Sequence, residues 1–150
     1  MSSQPTVFIR RGSFEDVLSL SEAIPEFDQP YGLKEYQQRL SGVAHLLLIA
    51  ECDGDLAGFK IGYAKSQRLF YSWMGGVLPA YRSRGIGSAL ALAQEEWLRS
   101  EGYTTVELKT RNCHRGMLIF ALRSGFHITG FSQRENWTEH RIYLRKNLTK

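Results

Sequence analysis

Val77-Leu-Pro-Ala-Tyr-Arg82-Ser-Arg-Gly85-Ile-Gly87-Ser-Ala-Leu90 is the stretch whose reading decides the fold. Apolar residues run up to Leu78, and Pro79 ends them as a strand. A basic loop containing glycine follows. From Gly85 the apolar period becomes helical: Ile86, Leu90, Ala93 and Trp97 repeat at helical spacing, with Glu95, Glu96 and Arg99 on other faces. Strand, loop and helix in that order bring loop N–H groups and a helix N-terminus to one place, which suits an anion. Glycine at 85 and 87 admits a phosphate close to the backbone. Arg82 and Arg84 add charge that matches phosphate oxygens. The expected ligand is a pyrophosphate. A tight turn into a helix with surface arginines would use the same residue types.

Two familiar phosphate motifs do not fit. The Walker pattern ends in Gly-Lys-Ser/Thr and is absent. The dinucleotide fingerprint needs a third glycine, where this chain has Leu90. Glu107 stands about 20 residues on, but two glycines are a weak match.

Working outward, Val7–Arg11 reads as an opening strand. Ser13 reads as an N-cap with Asp16 three residues on, starting a helix whose apolar positions are Phe14, Val17, Leu18 and Leu20. Pro25 and Pro30 bracket a loop, and Gly32–Leu40 is a second helix. His45–Glu51 and Leu56–Ala64 form a hairpin around Asp53-Gly54. Arg68–Leu78 is an aromatic-rich strand, and Gly75-Gly76 within it predicts a bulge or a close backbone approach. The helix from Gly85 ends near Gly102. Thr104–Thr110 is a strand, Met117–Arg123 a helix stopped by Gly125, and Phe126–Phe131 and Thr138–Leu144 are closing strands. The order β-α-α-β-β-β-α-β-α-β-β is a mixed α/β chain with antiparallel hairpins first and a strand–helix–strand unit late.

The 150 residues, 43% hydrophobic with 8 Phe, 7 Tyr and 3 Trp, exclude a disordered chain and suit one domain, 1–150. The longest apolar run, Met117–Leu122, is far short of the roughly 18 residues of a membrane span. Met1–Thr6 has neither the basic nor the apolar region of a secretory signal. Cys52 and Cys113 cannot build a disulfide framework and read as reduced thiols of a cytoplasmic protein. With His45, His114, His127 and His140 they show no metal-ligand spacing. The net charge of +4 fits an anionic ligand. It also fits nucleic acid, but no aromatic–basic motif supports RNA binding.

Arg82-Ser-Arg-Gly85-Ile-Gly87 resembles the Arg/Gln-x-x-Gly-x-Gly/Ala signature of the GNAT superfamily of acetyl-CoA-dependent acyltransferases. The Val77-x-Pro79 lead-in, the late Gly125-Phe126 and the element order resemble it too, so the likeness covers nearly the whole chain. It implies a single α/β (mixed α+β) domain: a central, mostly antiparallel sheet splayed at the cofactor cleft and flanked by about four helices. It implies acetyl-CoA as cosubstrate. The strand ending at Val77 and Leu78 would bond the pantetheine arm and acetyl carbonyl. N–H groups from Arg82, Ser83, Arg84, Gly85, Ile86, Gly87 and Ser88 would hold the pyrophosphate. Asn112 would bond the pantetheine, although spacing to Gly-Phe points to His114 instead. Arg123 would approach the nucleotide end. One departure stands out: the tyrosine that many members place four residues before that glycine, as general acid for the thiolate, is Ala121 here.

Several other residues bear on catalysis. Cys113 beside His114 is a possible nucleophile without an evident orienting group. Glu107 and Glu51 are possible bases but equally ordinary strand carboxylates. Tyr71 and Trp73 could line the acceptor site or belong to the core. Tyr143 on the late strand and His114 are the candidate catalytic acids, with water as a further source of the proton. Residues 21–42 would form one wall of the acceptor cleft. The reading is an N-acetyltransferase acting by direct attack in a ternary complex on a small-molecule amine or a protein N-terminus or lysine. It would be cytoplasmic, monomeric or homodimeric, and engage neither nucleic acid nor membrane. The alternative is a non-catalytic CoA-binding or regulatory module.

Overall fold

The computed structural model describes residues 6–27 and 29–149; the reading of residues 1–5 falls outside them. Among the described residues, seven strands and four α-helices follow one another in the expected order. Hydrogen bonds order the strands β1-β2-β3-β4-β5-β7-β6. Every register resolved between neighbours is antiparallel except the parallel β4–β5 ladder. The expected mixed α/β class, mostly antiparallel and with four helices, is the one observed.

The residues group into two compact units. The first holds β1 (Val7–Arg11), α1 (Phe14–Ala23), α2 (Leu33–Leu40), β2 (His45–Cys52), nearly all of β3 (Asp55–Ala64), the end of β4 (Leu69–Val77) and most of α3 (Ile86–Ser100). Ser13 and Asp16 form the reciprocal capping box, which fixes where α1 starts. Val17 and Leu20 are buried. β2 is apolar and buried from Leu46 to Ala50, the mark of a strand covered on both faces. Asp53 and Gly54 both have positive φ, 52° and 88°, as a tight two-residue hairpin turn requires.

The second unit holds the start of β4, β5 (Thr105–Arg111), α4 (Arg115–Arg123), β6 (His127–Ser132) and β7 (Arg141–Asn147). β4 pairs with β5 only from Leu69↔Thr105 to Ser72↔Leu108. Phe70, Val106 and Leu144 are fully buried, and Phe70 meets Tyr103 edge-on at 5.2 Å. Most boundaries shift by a residue from expectation, and two elements shift further. The last strand is Arg141–Asn147, not Thr138–Leu144, because Asn136 caps the Thr138 N–H at 3.0 Å and winds Trp137–Glu139 into a 3-10 turn. α4 begins at Arg115 rather than Met117, a polar first turn with no apolar signal. Among the described residues no helix is long and apolar enough to cross a membrane.

One core feature of the first unit is charged. Lys60 on β3 runs its stem over Gly75, whose missing Cβ would lie 3.5 Å from Lys60 Cγ. Lys60 keeps partial access to solvent, yet burial lowers its pKa to about 8, with Glu95 of α3 opposing the shift. Below pH 8 both native and unfolded chains hold this proton, and the native state bears the desolvation cost. Between pH 8 and 10.5 the unfolded chain keeps the proton the native state has lost, so stability increases with pH. Chemical denaturation across pH 7 to 11 is expected to show this rise, about 2 kcal/mol after allowance for solvent access. Lys60→Met is expected to remove it.

Candidate functional site

The first unit assembles the anion loop from its backbone. β4 ends at Val77, and the Leu78 N–H donates to Ala57 O at 2.8 Å. Pro79–Tyr81 forms a 3-10 turn. Ser83 and Gly85 then take positive φ, 64° and 78°, turning successive amides toward one side as anion nests do. Gly85 O accepts the first helical bond of α3, from Ala89 N–H at 3.0 Å. The N–H groups of Ile86, Gly87 and Ser88 precede it, in the turn that has no intrahelical acceptors. No acidic residue stands in that first turn. Arg82, Ser83, Arg84, Gly85 and Ser88 are exposed, and a Cβ at Gly85 would meet nothing within 4 Å. Donors, open space and positive charge coincide, so these residues fit a diphosphate.

The two arginines fold back along the protein rather than outward. Arg82 donates from Nε to Val77 O at 2.9 Å and from Nη2 to Glu26 at 2.7 Å. The Arg84 guanidinium lies 5.5 Å from the Tyr81 ring centroid, and its Nη1 is 4.0 Å from Cys52 Sγ. Their charge still sits at the loop.

The expected close approach at Gly75-Gly76 is present. A Cβ on Gly76 would come within 2.9 Å of Ile24 Cδ1 and 3.4 Å of Phe27 Cε2. The segment after α1 therefore lies directly on β4. Phe27 packs against Phe59 with centroids 6.0 Å apart, and Tyr31 meets Tyr36 edge-on at 6.0 Å. The fold thus gathers Val77, Leu78, residues 82–88 and the 24–27 segment in one unit. Glu26 was not singled out in the sequence, since nothing local marks its pairing with a residue 56 positions away.

Asn112, Arg123 and Tyr143 belong to the second unit. The Asn112 side chain donates to Trp137 O at 3.0 Å, and its N–H donates to His140 O at 2.8 Å. Arg123 is exposed in the last turn of α4. Tyr143 is 37% exposed and stands opposite Lys109 and Gly130. Ala121 is buried and offers no acid. Cys113 is exposed, and its thiol donates to Glu139 at 3.8 Å. The His114 imidazole lies 3.3 Å from Arg111 Nη2, so thiol and imidazole are each engaged elsewhere. Glu107 accepts from Lys65 and Arg145, both at 3.1 Å, and Glu51 pairs with Arg10. Both carboxylates serve ion pairs.

The model of the acetyltransferase (GNAT) family matches residues 14–126. Among solved structures, Ard1 from Thermoplasma volcanium is 19% identical with a TM-score of 0.80, covering 96% of this chain and 99% of that one. The ribosomal-protein-S18-alanine N-acetyltransferase from Escherichia coli is 17% identical with a TM-score of 0.83, covering 97% and 96%. The PaiA N-acetyltransferase from Thermoplasma acidophilum, in complex with coenzyme A, is 20% identical with a TM-score of 0.71, covering 95% and 99%. No curated protein sequence matches the chain.

Gly87→Glu puts a side chain and a negative charge among the loop amides. Calorimetry with coenzyme A as diphosphate probe is expected to show affinity reduced by about 100-fold, the scale of losing several charge-assisted hydrogen bonds. The circular dichroism of the variant should match the parent. Unchanged affinity would remove the loop from consideration.

Proposed function

The chain belongs to the GNAT acetyltransferase family, and on that premise we propose that it is an N-acetyltransferase carrying acetyl from acetyl-CoA to a primary amine by direct attack. The observation that carries this reading is the open loop of amides and arginines at the junction of β4 and α3. In this reading residues 1–150 act as one GNAT-like domain.

Acetyl-CoA, the cosubstrate, supplies an activated thioester. Backbone groups of Val77 and Leu78 hold the pantetheine arm and polarise the acetyl carbonyl, the Leu78 N–H excepted because it donates to Ala57 O. N–H groups from Ser83 to Ser88 hold the diphosphate, the Arg82 N–H being taken by Pro79 O at 3.3 Å. Asn112 serves the pantetheine and Arg123 the nucleotide end. The acceptor, having shed its ammonium proton, bonds through nitrogen to the carbonyl carbon. The carbon–sulfur bond then breaks, the sulfur keeps the electron pair, the nitrogen gives up a second proton to leave a neutral amide, and the departing thiolate takes a proton. Tyr143 is the candidate donor of that proton. Holding both reactants in one complex converts a bimolecular encounter into a unimolecular step.

The acceptor is a small-molecule amine, a protein N-terminus or a lysine. Fold likeness to an N-acetyltransferase named for a ribosomal-protein alanine keeps the N-terminus among these. Neither Cys52 nor Cys113 forms a disulfide, which suits a reducing cytoplasm. The protein acts as a monomer or homodimer. A second reading, a non-catalytic CoA-binding module, draws on the buried alanine at 121 where many relatives carry an acid.

Thiol release from acetyl-CoA across a panel of amines, diamines and N-terminal peptides separates the two readings. Turnover above hydrolysis supports the enzyme, and coenzyme A binding with none supports the module. With the best acceptor, Tyr143→Phe is expected to lower kcat by about 10²-fold, the lower range for losing a general acid. Tyr71→Phe, Tyr81→Phe and Tyr103→Phe are expected to stay within about threefold, since neither reading gives them a proton to move. Cys113→Ala is expected to retain most activity, and mass spectrometry of protein with acetyl-CoA alone is expected to show no stoichiometric acetyl-cysteine.

A further inference from the structure

The Glu26–Arg82 ion pair joins the two sides of the candidate site. Its 2.7 Å bond links the segment after α1 to the first residue of the anion loop, and the two side chains remain 49% and 41% exposed. The same guanidinium holds the last carbonyl of β4 through Nε. Glu26 lies between Ile24 and Phe27, the two side chains that occupy the space left by Gly76. The Phe27 N–H closes a turn onto Ile24 O at 3.1 Å. One arginine therefore fastens the 24–27 segment to the end of the strand that leads into the loop.

A guanidinium carries a single positive charge. A diphosphate arriving at residues 82–88 draws on that charge, and Glu26 already holds part of it. The carboxylate and the diphosphate are also like charges converging on one group. The two must weaken each other's hold on Arg82, and such coupling is reciprocal.

We propose that Glu26 is a positioning residue that couples donor binding to the acceptor side of the site: its bond to Arg82 pins the 24–27 segment on β4 until the donor's diphosphate competes for the same guanidinium. This rests on the reading of residues 82–88 as the donor loop and of the segment after α1 as the acceptor wall. The segment is then held in place when the donor is absent and released when it is bound, so the acceptor side answers to the donor's anionic end and not to its thioester.

The consequence has a sign that a simple structural role lacks. Glu26→Gln keeps the shape and removes the competing charge. Coenzyme A is expected to bind this variant more tightly, by about fivefold, the scale of one exposed ion pair. Pantetheine, which has no diphosphate, is expected to bind parent and variant alike. In the parent, hydrogen exchange at the Phe27 amide is expected to accelerate when coenzyme A is added and not when pantetheine is added. In Glu26→Gln it is expected to be fast without ligand. Weaker or unchanged coenzyme A binding by the variant, or Phe27 exchange indifferent to coenzyme A in the parent, overturns the coupling. A parent that binds no coenzyme A overturns the donor-loop reading itself and the coupling with it, and the parent titration separates that failure from the others.

Discussion

A methyl group at position 76 would come within 2.9 Å of Ile24 Cδ1, and one at position 58 within 2.8 Å of Gly76 O. The geometry around the end of β4 depends on those two missing side chains. With them absent, the β3 backbone lies close against β4, and the segment after α1 lies against β4's face. Glycine in a strand forfeits about 0.5–1 kcal/mol in chain entropy relative to alanine. Burial of Ile24, at 2% exposure, is the offsetting gain, since a fully buried side chain of that size contributes about 1.5–3 kcal/mol. The Leu78 N–H bond to Ala57 O and the Arg82 bond to Val77 O continue the same docking to the mouth of the loop.

Much of this is legible in the sequence. The Ser13 cap, the Asp53-Gly54 turn and the change of period at Gly85 are local signals that act within a few residues, and each fixed its element. Gly75-Gly76 could be read as a close approach, though not what approaches. The late hairpin departs from its sequence pattern because Trp137–Glu139 is wound by the Asn136 side chain, while the residues themselves suit a strand. α4 was read short because Arg115 and Gly116 add nothing to the apolar stripe. Side-chain pairings across long sequence separations leave no trace in the sequence: Glu26 with Arg82, and Glu107 with both Lys65 and Arg145. Those pairings decide which carboxylates are already committed.

The net charge of +4 is spread unevenly in its effects. Arg10, Arg39 and Arg111 are each matched by carboxylates, so their charge is spent locally on holding elements together. At the loop, the first turn of α3 contributes no acid, and the Arg84 guanidinium lies over the Tyr81 ring. Glu26 is the acid that reaches Arg82 there. The Glu26 carboxylate thus bears on how positive the loop is, which gives an exposed and individually weak ion pair a leverage that its own stability does not measure.

The alanine at 121 then bears on chemistry rather than on packing. A general acid matters in proportion to how poor the leaving group is. A thiol has a pKa of roughly 8.5, against about 10 for a tyrosine. A thiolate therefore departs near neutral pH with little help, and a phenol is the weaker acid of the two. The harder demand in amide formation from a thioester is to hold an uncharged amine against a polarised carbonyl, and oriented backbone N–H groups with a rigid strand end meet that demand. In this protein the strand end is fixed by glycine packing and by Arg82, neither of which needs a tyrosine. In the proposed reaction the thiolate's proton is assigned to Tyr143 rather than to residue 121, and the harder task of holding the amine against the carbonyl is assigned to the backbone around β4.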